Sequence, residues 1–196
     1  MAATSTMLPL GTKAPDFTLA DVVSGAHVSR ADFEGRNLLV MFICNHCPYV
    51  QHVRSELARM GRDYSGADLG IVAISANDPG QYPDDSPEMM KDEAETYGYV
   101  FPYLFDEDQS VAAAFTAMCT PDFFLFDSGH RLVYRGRFDE TRPNMGVPAT
   151  GADLRAAIDA LLEGRPIADQ QWPSMGCSIK WRPGRVPDHV GALTIH

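Results

Sequence analysis

The chain has 196 residues, of which 45% are hydrophobic and 21% charged, and its formal net charge is −10. This composition is typical of a soluble globular protein, and the length is sufficient for one well-buried core. The negative charge argues against a nucleic-acid or anionic-membrane partner, since either would need a concentrated basic face. No run of about 18 apolar residues is present, so we predict no membrane span.

The first half of the chain contains three predicted elements. Residues 16–36 alternate apolar and polar positions about Ser24-Gly25, which predicts a β-hairpin. The continuous apolar run 37–43 is typical of a central strand that is covered on both faces. After Pro48, apolar residues recur at intervals of three and four, which predicts an amphipathic helix with one buried face: Val50, Val53, Leu57, Met60 and Tyr64.

The second half continues the alternation of strands and helices. We predict strands over 70–78 and 101–106, helices over 86–99 and 109–118, and a hairpin of 122–127 with 131–138. Ser86 and Pro87 mark the start of the first of these helices. A last helix over 151–164 has Thr150 and Asp153 as a capping box and Gly164 as its stop.

This order predicts an α/β sandwich whose central mixed sheet is flanked by helices. We expect a single domain over 1–196, with a core of about 8–164. Residues 165–196 contain Pro and Gly without a clear period, and we interpret them as a C-terminal tail wrapped over the domain.

The segment Cys44-Asn45-His46-Cys47 lies between the apolar strand and the amphipathic helix. A thiolate at a helix N-terminus is stabilised by unpaired amide donors and the helix dipole, which lowers the cysteine pKa. We therefore expect a redox pair in which exposed Cys44 attacks a substrate disulfide and sheltered Cys47 resolves the mixed disulfide. The first residues have no signal-like pattern, so we expect a cytoplasmic protein.

His46 lies between the two cysteines. If protonated, its imidazole favours the thiolate, stabilises the reduced form and makes the couple more oxidising. The alternative is an exposed turn residue without effect. A further alternative is a zinc or copper module, in which His46 and His52 complete a Cys2His2 set, although Cys47 and His52 lie about 140° apart on a helix.

Several motifs together resemble the redoxin branch of the thioredoxin-like superfamily, which includes AhpC/TSA peroxiredoxins and TlpA/ResA-like thiol oxidoreductases. They are GTKAPDFTL near the start, LLVMFICNHCPY around the cysteines, TPDFFLFD downstream, and GRFDE before the last helix. The resemblance covers residues 8–164 and implies a thioredoxin-like sandwich. It also implies that Pro121 is cis and faces the cysteines, leaving the backbone of Thr120 free to position an extended peptide substrate.

The sequence departs from these families at important positions. Leu38 stands where many thioredoxins have a buried aspartate, and the sequence does not identify a substitute. Ile43 replaces the usual tryptophan. Against the peroxiredoxin pattern Pro-x-x-x-Thr-x-x-Cys, Cys47 matches the cysteine, but Val40 replaces the proline and Cys44 the threonine.

Two further cysteines are candidate redox thiols. Cys119 precedes Thr120-Pro121, but a small buried core residue is the interpretation that we favour. Cys177 lies in the tail and either folds back over the site, bridges to Cys119 or is inert. We interpret a group of arginines after the aromatic strand as exposed, and the acidic segments 82–88 and 106–109 as solvated loops: Arg135, Arg137 and Arg142.

The sequence thus predicts a thiol-disulfide oxidoreductase built on Cys44 and Cys47. Its partners would be protein or small-molecule disulfides and a reducing dithiol protein, so no bound cofactor is needed. The principal alternative is an antioxidant, peroxiredoxin-like peroxidase in which Cys47 attacks hydroperoxide and Cys44 resolves the product.

Overall fold

The computed structural model describes residues 2–191, so the last five residues of the predicted tail lie outside the described part. The strands are β1 (Ala2–Thr4), β2 (Thr18–Asp21), β3 (His27–Ser29), β4 (Asn37–Phe42), β5 (Leu69–Ser75), β6 (Tyr103–Phe105), β7 (Cys119–Thr120), β8 (Asp122–Phe126), β9 (Leu132–Gly136) and β10 (Met175–Ser178). The helices are α1 (Pro48–Asp63), α2 (Pro87–Tyr97), α3 (Ser110–Ala114), α4 (Ala152–Leu162) and α5 (Asp188–Gly191). None of the described helices is long and apolar enough to cross a membrane.

Seven strands form the central sheet in the order β3-β2-β6-β5-β4-β8-β9. Strands β4, β5 and β6 pair in parallel, and the pairs toward both edges are antiparallel. This is the predicted mixed sheet, so the predicted α/β sandwich is confirmed. The predicted hairpins are also present as β2–β3 and β8–β9.

Both faces of β4 are buried, because its side chains alternate between two apolar layers. One layer contains Leu39 and Met41 with residues from α1, α2 and α4, and the other contains Val40 and Phe42 with residues from α3. A strand covered on both sides must be apolar at every position. This explains the continuous run in the sequence and fixes the end of β4 in the interior.

Local sequence determines where α2 begins, whereas tertiary contacts determine where α4 begins. The Ser86 side chain accepts a hydrogen bond from the Met89 amide at the start of α2, as predicted. The capping box predicted for α4 is wrong. Its N-cap is Gly151, at φ 69° and without a side-chain cap, whereas Asp153 pairs with Arg137 at 2.6 Å.

A second sheet has the order β1-β10-β7 and joins the two ends of the chain. In it, β10 pairs antiparallel with β1 on one side and with β7 on the other. The sequence did not predict β1 or β10, since each is short and lacks clear alternation. The tail therefore contributes a strand beside Cys119 and Thr120, rather than only a covering loop.

Candidate active site

The two cysteines of the CxxC segment lie where β4 meets α1. The strand ends at Phe42, and Cys47 is the N-cap of the helix, with Pro48 at its first position. Proline fits there because its missing amide proton would have no partner within the helix. Both cysteines are free thiols, and the chain thus places them at the positive end of a long helix.

Both sulfurs lie against Thr120. The Sγ atom of Cys44 is 3.0 Å from Thr120 Oγ1, and that of Cys47 is 3.1 Å from the Thr120 carbonyl oxygen. The Thr120–Pro121 peptide bond is cis, which confirms that prediction. Cys44 is only 1% exposed and Cys47 is fully buried, so the expectation of an exposed Cys44 is wrong for this conformation.

The two thiols influence each other and differ in acidity. Burial, followed by the interaction with Cys47 and the charge of Asp85, raises the pKa of Cys44 well above its usual value. The pKa of Cys47 is lowered to about 5, chiefly by the interaction with Cys44, with contributions from Cys177 and the Val50 amide that outweigh burial. As a thiol, Cys47 donates to the Thr120 carbonyl oxygen, and this interaction favours the protonated form. The interactions with Cys44, Cys177 and the Val50 amide favour the thiolate and outweigh it. The reduced pair thus carries its negative charge on Cys47.

A buried carboxylate, Asp85, organises the CxxC turn. It is fully buried immediately before the N-cap of α2, so the interpretation of 82–88 as a solvated loop is wrong at this residue. Its Oδ1 accepts hydrogen bonds from the backbone amides of Asn45 at 2.8 Å and His46 at 3.1 Å. Its Oδ2 accepts a hydrogen bond from Asn77 Nδ2 at 2.8 Å. Nothing local in the sequence distinguishes Asp85 from exposed Asp84.

His46 is held between Asp85 and an aromatic ring. Its Nδ1 pairs with Asp85 Oδ2, and its imidazole stacks on Tyr82 with ring centroids 4.4 Å apart. A ring nitrogen within hydrogen-bond distance of a carboxylate oxygen is the donor, because the ionised oxygen can only accept. The interpretation of His46 as an exposed turn residue without partners is therefore wrong, since the side chain is only 16% exposed.

The alternative of a Cys2His2 metal set is not supported by the position of His52. His52 lies on α1, and its Nε2 is 2.9 Å from Thr141 Oγ1. Among the described residues, a different group, Cys44, His46 and Asp85, has its potential ligand atoms within 4.8 Å of one another. The Asp85 oxygens in this group already accept hydrogen bonds from the protein, so these contacts have a structural explanation without a metal.

A second buried carboxylate, Asp122, follows the cis proline. Both of its oxygens lack a hydrogen bond within the described part of the chain. Burial raises its pKa to about 8, against weaker opposing effects of the nearby Met118 and Phe123 amides and the Ser174 hydroxyl, which do not meet hydrogen-bond geometry. Asp122 pairs in register with Phe42 of β4, two residues before Cys44. The sequence indicated only an apolar aromatic strand here.

The backbone of Thr120 is already paired. Cys177 of β10 lies opposite Thr120, and Ser178 lies opposite Cys119. The expectation that Thr120 is free to receive an extended peptide is therefore wrong for this conformation, because the tail takes that edge. Cys119 is fully buried, as the core interpretation predicts, and burial raises its pKa well above its usual value.

The three arginines are distributed between tertiary contacts and solvent. Arg135 Nε donates to the Leu8 carbonyl at 2.6 Å, and Arg137 pairs with Asp153. Arg142 is exposed. The interpretation as an exposed strand face is therefore wrong: Arg142 is exposed but lies beyond the end of β9, and the other two are partly buried in contacts with remote segments.

Comparisons with known proteins agree with this geometry. The sequence model of the AhpC/TSA family matches residues 10–135. An uncharacterized conserved protein from Geobacillus kaustophilus is 54% identical, with a TM-score of 0.91 over 94% of this chain and 98% of its own. A hypothetical protein from Sinorhizobium meliloti 1021 is 49% identical, with a TM-score of 0.89 over 92% of this chain and 99% of its own.

A thiol:disulfide interchange protein from Chlorobium tepidum TLS shares the fold at 18% identity, with a TM-score of 0.61 over 79% of this chain and 98% of its own. None of the curated proteins compared with the chain matches it.

Proposed function

Since the chain belongs to the AhpC/TSA family, we propose that it is a thiol-disulfide oxidoreductase that cycles between a Cys44–Cys47 dithiol and disulfide. The observation that carries this proposal is the pair of free thiols at the N-terminus of α1, both in contact with Thr120, in which the pKa of Cys47 is lowered to about 5. Disulfide exchange requires a thiolate, and the pair holds one negative charge at neutral pH that a proton transfer from Cys44 to Cys47 places on Cys44.

The acidity difference defines how the two cysteines cooperate. Cys44 needs to lose its proton to attack a substrate disulfide, and the neighbouring Cys47 thiolate is the base that accepts this proton. Cys47 then gives the proton to the departing substrate thiolate. As a thiolate again, Cys47 attacks Cys44 Sγ, which closes the disulfide and releases the second substrate sulfur as a thiolate that takes a proton from water.

The neighbouring residues have supporting roles in this proposal. His46 partly compensates the charge of Asp85, which otherwise raises the pKa of Cys44. Thr120 and Pro121 position the substrate sulfur, since Thr120 contacts both cysteine sulfurs. Electrons come from a dithiol partner, and the substrates are disulfides of proteins or small molecules.

Reduction of hydroperoxide is a second candidate function, which the low pKa of Cys47 favours. In that reaction, the Cys47 thiolate attacks the peroxide oxygen and becomes a sulfenic acid, and Cys44 then forms the disulfide and releases water. The replacement of the motif residues by Val40 and Cys44 argues against it. This chemistry would make the protein an antioxidant peroxidase.

Assays of two variants separate these functions. We expect the purified protein to reduce a model disulfide with dithiothreitol as donor, and Cys44→Ser to abolish this activity. Cys119→Ser serves as the control, because Cys119 is equally buried. If Cys44→Ser instead consumes one equivalent of hydroperoxide and Cys47→Ser consumes none, the peroxidase is supported. Full disulfide activity in both variants would exclude the proposed couple.

A further inference from the structure

The strand β10 holds a third cysteine beside the pair, in the place that a substrate peptide would take. Cys177 lies opposite Thr120 on one side and opposite Ala2 on the other. A Cβ atom on Gly176 would lie 2.0 Å from the Thr120 carbonyl oxygen, so only glycine allows the strands to approach this closely. The backbone thus fixes the position of Cys177 from both edges.

The tail is also anchored at the opposite end of the site. The backbone amide of Lys180 donates to Asn77 Oδ1 at 2.8 Å, and Asn77 Nδ2 in turn donates to Asp85. The amide of Ile179 donates to the Met118 carbonyl at 3.1 Å. The segment from 176 to 180 therefore belongs to the same hydrogen-bonded unit as the CxxC turn.

The side chain of Cys177 packs beside the pair. It is one of the partly buried residues that pack against the apolar cluster containing both CxxC cysteines, and it lies opposite Thr120, which contacts both of their sulfurs. Burial, followed by the interaction with Cys47, raises the pKa of Cys177 to about 11, so Cys177 is protonated in the reduced protein. By contrast, the Cys119 thiol faces the Pro121 carbonyl oxygen at 3.7 Å.

We propose that Cys177 is a third redox thiol, which receives the disulfide from the Cys44–Cys47 pair and forms Cys47–Cys177. This inference rests on the proposed redox couple. In the step, Cys177 attacks Cys47 Sγ, the Cys44–Cys47 bond breaks, and Cys44 leaves with the electron pair and takes the proton of Cys177. One disulfide is exchanged for another, so no oxidant or reductant is consumed.

Oxidation of Cys44 and Cys47 to a disulfide favours the attack of Cys177 on Cys47. Formation of the Cys44–Cys47 disulfide removes the negative charge from Cys47, and that charge is one cause of the raised pKa of Cys177. The exchange frees Cys44 and leaves the disulfide between α1 and the tail strand. The Cys47–Cys177 disulfide also holds β10 beside Thr120. Substrates that must displace the tail from the backbone of Thr120 are then excluded, and other substrates are not.

The test maps disulfides after oxidation of the full chain with one equivalent of diamide, a reagent that converts two thiols into a disulfide. Remaining thiols are alkylated, and the linked peptides are identified by mass spectrometry. We expect both Cys44–Cys47 and Cys47–Cys177 links in the parent protein. In Cys44→Ser we expect the Cys47–Cys177 link alone, with free thiols falling from three to one per chain.

The controls separate this inference from the proposed function. In Cys44→Ser/Cys177→Ser, we expect two free thiols to remain, and in Cys44→Ser/Cys119→Ser none. Formation of Cys44–Cys47 in the parent, with Cys177 fully alkylated in the parent and in Cys44→Ser, would overturn the role of Cys177 alone. Absence of a Cys44–Cys47 link in the parent would overturn the proposed couple. Mapping the parent requires no substitution, so the result does not depend on the folding of a variant.

Discussion

Asp85 and Asp122 are two fully buried aspartates near the same cysteines, yet their surroundings are opposite. Asp85 receives hydrogen bonds from two backbone amides, an asparagine and His46. Asp122 makes none within the described residues, and burial raises its pKa to about 8. Two equally buried carboxyl groups can therefore have opposite surroundings, and the donors around such a group decide how well a charge on it is stabilised.

The two aspartates lie on different sides of the site and have different roles. The Asp85 side fixes the turn between the cysteines, since its acceptor atoms hold the amides of Asn45 and His46. The Asp122 side is a buried group that is protonated at neutral pH beside the cis proline. We expect substitutions on the first side to disrupt the structure and those on the second to change its pH dependence.

The largest expected effect follows from Asp85→Asn. The amide retains one acceptor oxygen but turns a donor toward groups that are themselves donors, so buried amides lose their partner. Removing one partner from a buried ionic network typically costs about 3–5 kcal/mol. We expect a loss of this size in the free energy of unfolding, measured with urea at pH 7.

The neighbouring residue provides the control for this prediction. Asp84 is exposed and chemically identical, so Asp84→Asn should change the free energy of unfolding by no more than about 0.5 kcal/mol. Equal losses in both variants would mean that the buried network does not stabilise the turn, and that the hydrogen bonds of Asp85 do not set it apart from Asp122.

A smaller effect of opposite sign is expected for Asp122→Asn. Since the pKa of Asp122 is raised in the folded state, its contribution to stability is present below about pH 4 and is lost as pH rises through about 8. The amide does not ionise, so the advantage of the variant over the parent should grow by about 1.4 kcal/mol for each pH unit between pH 5 and about pH 8, and should stay level above that.

The measurement is the difference in free energy of unfolding between this variant and the parent across pH 5–9. Cys47 has a pKa lowered to about 5, which makes stability rise with pH over the same window in both proteins. Taking the difference removes this opposing contribution. A difference that does not change with pH would show that the pKa of Asp122 is not raised in the folded protein.

The sequence was sufficient for features that depend on neighbouring residues. The period of α1, the apolar run of β4 and the Ser86 cap are local patterns, and the structure reproduces them. The cis bond before Pro121 followed from the resemblance to a family, not from local chemistry.

Features that depend on remote contacts could not be predicted in this way. Asp85 is 40 positions from Asn45, and only folding brings its carboxylate to that amide. Strand β10 is too short for a period, and it is defined by its pairing with Thr120. The capping box at Thr150 failed for a related reason, since Asp139 accepts hydrogen bonds from the amides of Thr150 and Gly151.

The smallest predicted effect concerns the link from Asp85 to the sulfurs. His46→Phe keeps an aromatic ring to stack on Tyr82 but removes the donor to Asp85. The less compensated Asp85 charge then repels the negative charge of the reduced pair more strongly, which destabilises the reduced form relative to the uncharged disulfide. We expect the reduction potential of the Cys44–Cys47 couple to fall by about 30 mV, equivalent to about 1.4 kcal/mol.

Equilibration with glutathione or dithiothreitol buffers, followed by alkylation, measures this potential. His52→Phe is the matched control, because His52 lies on α1 and contacts Thr141 rather than Asp85, so its potential should equal that of the parent. An unchanged or higher potential in His46→Phe would mean that the Asp85 charge does not reach the cysteines. Asp85 would then differ from Asp122 in its structural role alone, and the acidity of Cys47 would rest on its interactions with the other thiols and the helix N-terminus.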